Sequence, residues 1–161
     1  MFNLKAEFYL KIIFLFSFIA LISAFFIEYV LGHQPCNLCL IERIPYGLSI
    51  MIIMAIFLIR KNQKFLVMLL ILTFIFSFAI SFYHFGIEQG FFQESSVCGV
   101  KSSTEIVTKE DLLKQLSEKT ISCKDVTFRI FGLSLTSINI VISLLFIITL
   151  LKIFKEYEKN K

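Results

Sequence analysis

Four long apolar segments, separated by clusters of charged residues, set the pattern of this chain. Asp, Glu, Lys and Arg are absent from the windows 12–27, 44–59, 65–87 and 130–151. Because roughly 20 apolar residues are needed to cross ~30 Å of hydrocarbon, each window predicts a transmembrane helix, extended where necessary into its flanks. The predicted spans cover about 12–31, 44–60, 65–85 and 133–152.

The composition agrees with a membrane protein. Hydrophobic residues make up 57% of the 161 residues, twenty residues are Phe, and the mean hydropathy is +0.82. We therefore predict an all-α membrane protein, a four-transmembrane-helix bundle that forms a single domain over residues 1–161. The outer loops would cover 32–43 and 86–132. Since three further spans follow the first, we interpret the first as a retained helix rather than a cleaved signal peptide.

Basic residues are concentrated on one side of the predicted spans. This side holds both chain ends and the short connection between the second and third spans, with Lys5, Lys11, Arg60, Lys61, Lys64, Lys152, Lys155, Lys159 and Lys161. By the positive-inside rule it is cytoplasmic, so the other two loops face outward. The net charge of +4 thus indicates orientation in a membrane and gives no indication of nucleic-acid binding.

All four cysteines fall in the two outward loops, as Cys36, Cys39, Cys98 and Cys123. Thiols outside the cytosol can persist as disulfides, so an even number of cysteines suggests two redox pairs. A disulfide between Cys36 and Cys39 would close too short a ring to add much stability, and such rings are more often redox-active. A structural disulfide between Cys98 and Cys123 and a zinc or copper site are alternatives, although this pair lacks the short spacing of a zinc ribbon.

The long outer loop contains one further predicted element. Thr108 followed by Glu110 and Asp111 forms a plausible capping box ahead of Leu112, Leu113 and Leu116. We therefore expect a short amphipathic helix at 108–118, which would lie on the membrane surface or cover the loop's own small core.

A series of short motifs runs through the loops and helix ends. They are PCNLC at 35–39, Glu42 with Arg43, YHFGIE at 83–88, Cys98, Cys123, FR at 128–129 and GLSL at 132–135. In this order they resemble the disulfide bond formation protein B (DsbB) family, from Cys36 to Asn139 and in the four-span plan. Phe91, Phe92 and Phe128 stand where that family often has Trp, and none of them is a predicted catalytic position.

The resemblance implies a bacterial inner-membrane thiol oxidase with periplasmic cysteine loops and cytoplasmic termini. Such a protein reoxidises a soluble DsbA-like dithiol partner and passes two electrons to a membrane quinone, either ubiquinone or menaquinone. By resemblance, the partner attacks Cys98 and Cys123 resolves the product. Cys36 exchanges with this loop pair, and Cys39 forms the adduct or charge-transfer pair with the quinone. No metal site is expected.

Two further residues are expected to bind the quinone. Arg43 follows Cys39 by four residues, so on a helical turn both lie on one face, and the guanidinium would favour the Cys39 thiolate. The resemblance adds that Arg43 polarises a quinone carbonyl. Without the family resemblance, Arg43 would be interpreted as a cation at the membrane boundary, paired with Glu42 or a lipid phosphate. His84, near the outer end of the third span, could reach the same quinone ring.

Two other functions are considered. A protein like vitamin K epoxide reductase is also a four-helix, quinone-linked thiol enzyme, but its C-x-x-C normally falls late in the chain. A membrane protein with structural disulfides or metal-binding cysteines would need no quinone, so its thiols would not cycle when quinone is added. His33 and Glu88 receive no role, and the sequence selects neither the quinone, the partner nor the oligomeric state.

Overall fold

Four long helices form most of the described chain. The computed structural model describes residues 4–59, 62–93, 98, 123–124, 129–130 and 133–159. Its helices are α1 (Leu4–Tyr29), α2 (Asn37–Leu58), α3 (Gln63–Glu88) and α4 (Leu135–Lys159). Just before α4, the short strands β1 (Arg129–Ile130) and β2 (Leu133–Ser134) pair antiparallel. Most of the loop predicted over 86–132, including the amphipathic helix at 108–118, lies outside the described residues.

All four helices are long and apolar enough to cross a membrane. The 22 residues of α2, at ~1.5 Å each, reach about 33 Å, which matches the hydrocarbon core of a bilayer. Large apolar side chains such as Phe18, Met51 and Leu145 are exposed on the bundle surface, where lipid would be the solvent. The prediction of four membrane-spanning helices is confirmed, and the two short strands are an addition to the all-α prediction.

The first three helices extend beyond the charge-free windows at their outer ends. The second helix begins at Asn37, ahead of the predicted start at 44, and therefore includes Glu42 and Arg43. Both charged side chains find partners on neighbouring helices, so neither needs to leave the helix for water. The C-x-x-C pair consequently stands at the start of α2 and not in a free loop. The fourth helix begins at Leu135, because β2 occupies the two residues before it.

The bundle interior is apolar with a few small polar contacts between helices. The third helix packs against α2 and α4, and α1 packs mainly against α2. Buried Leu10, Ile53, Leu70 and Phe74 belong to the central core. Serines provide hydrogen bonds across the helix contacts, from Ser49 to Ser17 at 3.0 Å and from Ser143 to Ser77 at 3.1 Å. Small residues let helices approach closely, which is the main source of packing energy in lipid.

The chain turns sharply where it leaves α3. The backbone N–H groups of Phe91 and Phe92 both donate to the carbonyl of Gly86, and Gly90 has a positive φ of 77°. The Phe92 ring occupies the space that a Cβ on Gly86 would need, and it stacks on Tyr83 with ring centroids 5.7 Å apart. A glycine at 86 therefore lets the start of the long loop fold back over the outer end of α3.

Candidate redox site

The two cysteine pairs lie in one buried cluster, where α2 begins and α3 ends. Cys98 and Cys123 form a disulfide, whereas Cys36 and Cys39 are free thiols with sulfur atoms 2.7 Å apart. Exposure is 6% for Cys36, 3% for Cys98 and 2% for Cys123. The apolar side chains packed around them are Leu38, Ile41, Tyr83 and Ile87. Three of the four cysteines are thus buried, Cys39 is half-buried, and all four pack within the same group of side chains.

Cys36 is placed to hold a negative charge. It precedes the first residue of α2 in an extended conformation, and its Sγ accepts a hydrogen bond from the backbone N–H of Cys39 at 3.2 Å. Its Sγ also lies 3.6 Å from Nε2 of His84. The hydrogen bond from the Cys39 thiol lowers the pKa of Cys36 most, burial opposes this, and His84 lowers it further, giving a pKa of about 4. These contacts favour the thiolate form of Cys36.

His84 lies between Cys36 and two largely buried carboxylates. Its Nδ1 lies 2.9 Å from Oε1 of Glu42 and 3.3 Å from Oγ1 of Thr136. Its Nε2, which faces Cys36, lies 3.9 Å from Oε1 of Glu88. Both ring nitrogens thus face acceptors, a sulfur on one side and a carboxylate on the other. A ring with a proton on each nitrogen can donate to both.

The two carboxylates differ in how many of their oxygen atoms have hydrogen-bond partners. Glu42 contacts His84 through Oε1 and accepts a hydrogen bond from Nδ2 of Asn139 at 3.3 Å through Oε2. Glu88 accepts from Thr136 at 2.7 Å through Oε1. Among the described residues, Oε2 of Glu88 is the one buried side-chain nitrogen or oxygen that lacks a hydrogen-bond partner. An unsatisfied carboxylate oxygen adds negative potential beside the His84 ring.

Arg43 is paired with the end of α1. Its Nη1 donates to Oε2 of Glu28, and the guanidinium lies 5.4 Å from the centroid of the Phe25 ring. The sequence argument expected the arginine to favour a thiolate at Cys39. That role of Arg43 stays a prediction. The described contacts of its guanidinium are to Glu28 and Phe25, and the imidazole of His84 lies against Cys36.

A cavity of about 270 Å³ lies between α1, α2 and α4, next to Cys39. Apolar side chains such as Phe16 and Ile142 line it. The polar groups on its wall include His33, Cys39, Glu42, Arg43, Tyr46 and Asn139. Ligand pockets for small molecules occupy roughly 300–1,000 Å³, so this cavity suits a single ring with small substituents. A quinone head group fits both this size and this mixture of apolar walls and hydrogen-bonding groups.

The site residues predicted from the sequence fall into two groups, those that line the cavity and those that do not. Cys39 and Arg43 line it, whereas Cys36 and His84 are not among its lining residues. Glu42 stands between the groups, since it lines the cavity and contacts His84. The prediction that His84 touches a quinone stays a prediction, and the described contacts place its ring against Cys36.

Sequence reasoning missed several members of the site. Glu28 pairs with Arg43, Glu42 and Thr136 contact His84, and Asn139 donates to Glu42. Asn139 carried a usable signal, because a polar amide inside an otherwise apolar span commonly marks a functional contact. Glu28 carried another, because the short first loop must bring the end of α1 near the start of α2.

Comparison with known proteins agrees with these features. The family model for disulfide bond formation protein DsbB matches residues 6–153. The chain belongs to the DsbB family. A Rickettsia prowazekii (strain Madrid E) protein named uncharacterized protein RP370 is 31% identical over 147 residues, covering 90% of this chain and 86% of the relative. No solved structure matches the chain.

Membership of the DsbB family confirms the family resemblance found in the sequence. Together with the four apolar helices, it makes the chain a multi-pass membrane protein of disulfide bond formation, with the thiol oxidoreductase chemistry associated with that family. The vitamin K epoxide reductase alternative is set aside by this match.

Proposed function

We propose that this protein is a thiol:quinone oxidoreductase that reoxidises a DsbA-like periplasmic dithiol protein and reduces a membrane quinone, either ubiquinone or menaquinone. The observation that carries the proposal is the position of Cys39, which belongs to the buried cysteine cluster and also lines the ring-sized cavity. One residue thus joins the thiol chemistry to a site for an apolar electron acceptor.

Electrons would pass through the two cysteine pairs in sequence. A thiolate of the partner attacks Cys98, and Cys123 leaves as a thiolate, so the loop pair becomes a dithiol when the partner's second thiol completes its disulfide. The loop dithiol then reduces the Cys36–Cys39 disulfide. This exchange would leave Cys98 bonded to Cys123 and Cys36 and Cys39 as free thiols, the same pairing that the structure has.

The inner pair would deliver two electrons and two protons to the quinone. The Cys36–Cys39 dithiol becomes a disulfide, and the quinone becomes a hydroquinone. Cys39 faces the cavity and is the sulfur nearest the acceptor. Arg43 lines the same wall and supplies N–H donors for a quinone carbonyl, where negative charge increases during reduction.

The function can be tested with purified protein in lipid nanodiscs. A reduced DsbA-like protein and a short-chain ubiquinone or menaquinone are added, and both quinone absorbance and partner thiols are followed. We expect loss of two partner thiols for each quinone reduced, because the reaction transfers two electrons. Absence of quinone reduction with both quinones and a competent partner would contradict the proposal.

A metal-binding function has one structural observation in its favour. The ligand atoms of Cys36, Cys39 and His84 lie within 4.8 Å of one another. Thiolates and an imidazole suit zinc or copper(I), and the Glu42 contact to Nδ1 of His84 is the kind that orients a metal-bound histidine. The assay above separates the two functions, since a metal-binding protein would leave both the quinone and the partner thiols unchanged.

We further propose that the redox site faces the periplasm of a bacterial inner membrane, with both termini cytoplasmic. The basic side chains near the chain ends and the short connection after α2 support this orientation.

Single cysteines placed at opposite ends of the bundle test the orientation. In a variant with all four native cysteines replaced by serine, Gln89→Cys marks the outer end of α3 and Glu158→Cys marks the other end of α4, and both positions are exposed. A membrane-impermeant maleimide should label the first in intact spheroplasts and the second only after lysis. The reverse pattern would show the opposite orientation.

A further inference from the structure

Glu42 is a carboxylate shared between the thiol cluster and the cavity. Its Oε1 contacts Nδ1 of His84 at 2.9 Å, and the other ring nitrogen lies 3.6 Å from Sγ of Cys36. The Glu42 side chain is also part of the cavity wall. Three titratable groups therefore form a continuous chain of short contacts from the buried sulfur to the cavity.

The reaction in the proposed function requires such a chain. Oxidation of the inner dithiol releases two protons, and reduction of a quinone to a hydroquinone consumes two. Cys39 lines the cavity, so its proton has a direct route to the acceptor. Cys36 is not among the lining residues and is only 6% exposed, so its proton needs carriers.

We propose that Glu42 is a proton-transferring residue that passes the Cys36 proton, received through His84, to the quinone in the cavity. The inference rests on the proposed function. Because the contacts of Cys36 favour its thiolate form, the Cys36 proton is already held at Nε2 of His84, and the proton on Nδ1 moves to Glu42 when the inner pair is oxidised. Glu42 then donates its proton to a quinone oxygen and returns to the carboxylate form. Glu42 ends as the carboxylate and His84 as the neutral ring, and His84 takes up a proton again when the inner disulfide is next reduced to a Cys36 thiolate and a Cys39 thiol.

The hydrogen bonds around Glu42 fit this role. Asn139 donates to its Oε2, and the Asn139 side chain is itself fixed by Tyr46 and by Ser81, so the carboxylate is held at the cavity wall. Glu88 is the other carboxylate near His84, but it is not among the lining residues of the cavity. Thr136 also lies against His84 and lines the cavity, but a hydroxyl group does not titrate near neutral pH. Among the described residues, Glu42 is the one carboxylate that both contacts His84 and lines the cavity.

The substitution Glu42→Gln provides the test, because glutamine keeps the size and can still accept from Asn139 but cannot carry a proton. We expect the kcat for quinone reduction to fall at least about tenfold, with the KM for quinone unchanged. Anaerobic exchange between the loop pair and the inner pair, measured without quinone, should keep its rate. Glu42→Asp should recover part of the loss, since it restores a carboxyl group.

A matched control removes a carboxylate far from the site. Glu158→Gln changes the charge by the same amount at the exposed pair with Lys64, and should leave kcat unaltered. A solvent deuterium isotope effect on quinone reduction gives a second readout, which should increase in Glu42→Gln because proton delivery becomes slower.

The possible outcomes separate this inference from the proposed function. If the unaltered protein reduces quinone and Glu42→Gln keeps its kcat and isotope effect, the relay is refuted while the oxidoreductase function stands. A change in quinone KM alone would make Glu42 a binding residue and would also refute the relay. If Glu42→Gln does not fold, Glu42→Asp decides, since a longer proton path should lower kcat without altering thiol exchange. If the unaltered protein reduces no quinone, both proposals fail.

Discussion

A mixed disulfide with the partner should accumulate when Cys123 is replaced by serine. In the described structure, Cys123 is bonded to Cys98, so attack by a partner thiolate on Cys98 must expel Cys123. The variant Cys123→Ser leaves Cys98 without its intramolecular partner. We expect quinone-coupled turnover to fall to background. Cys98 can still attack the Cys36–Cys39 disulfide, and the thiolate of a partner that retains only its attacking cysteine then displaces Cys36 from Cys98. The partner is thereby trapped on Cys98, and the inner pair is reduced. Non-reducing electrophoresis should show a combined band that disappears on reduction.

The reciprocal variant is the matched control for this trap. Cys98→Ser removes the sulfur that the partner attacks, so no combined band should appear. Quinone-coupled turnover should fall to background, as it does in Cys123→Ser. Both variants should still reduce quinone when the inner pair is reduced directly by a small dithiol, because Cys36 and Cys39 are intact. Oxidation of the partner at the unaltered rate in either variant would make the Cys98–Cys123 bond purely structural.

Replacement of Arg43 by alanine should weaken quinone use more than thiol exchange. The guanidinium lies on the cavity wall, and loss of one charge-assisted hydrogen bond costs about 1.5 to 3 kcal/mol. We therefore expect the KM for quinone to rise roughly ten- to a hundredfold. The rate of exchange between the loop pair and the inner pair should stay close to that of the unaltered protein.

The ion pair with Glu28 has to be separated from this effect. In Arg43→Ala, the Glu28 carboxylate loses its partner at a position only 22% exposed, which could disturb α1. The double variant Arg43→Ala with Glu28→Gln removes that uncompensated charge. Arg43→Lys keeps the cation but loses the planar fork, so its KM should be intermediate. An unaltered KM in all three variants would leave Arg43 as a boundary charge.

The helices could be predicted because the physical constraint on them is local. A membrane span needs a long run of apolar residues, and the charge-free windows record that requirement directly. The family could be recognised because its motifs recur in order, from PCNLC at 35–39 to GLSL at 132–135. The outer ends of the helices were less predictable, because charges such as Glu42 and Arg43 are tolerated within a helix when a neighbouring helix supplies a partner.

The contacts within the candidate site depend on packing between helices. Thr136 reaches His84 from α4, and Glu28 reaches Arg43 from α1. No local pattern records which side chains meet when antiparallel helices pack. For this reason the sequence argument assigned the charge of Arg43 to Cys39, which is close in sequence, whereas the structure pairs it with a residue from the preceding helix.

The hydrogen bond between Glu42 and His84 also bears on how the chain enters the membrane. The two residues lie on consecutive antiparallel helices, so neither has its partner until both helices are in place. A carboxylate that enters lipid alone raises the free energy of insertion by up to about 3.5 kcal/mol at the bilayer centre, and by less near a helix end. If α2 and α3 insert together as a helical hairpin, Glu42 and His84 enter the membrane already paired, and this cost is avoided. The Glu42–His84 contact therefore favours simultaneous insertion of the two helices during biosynthesis.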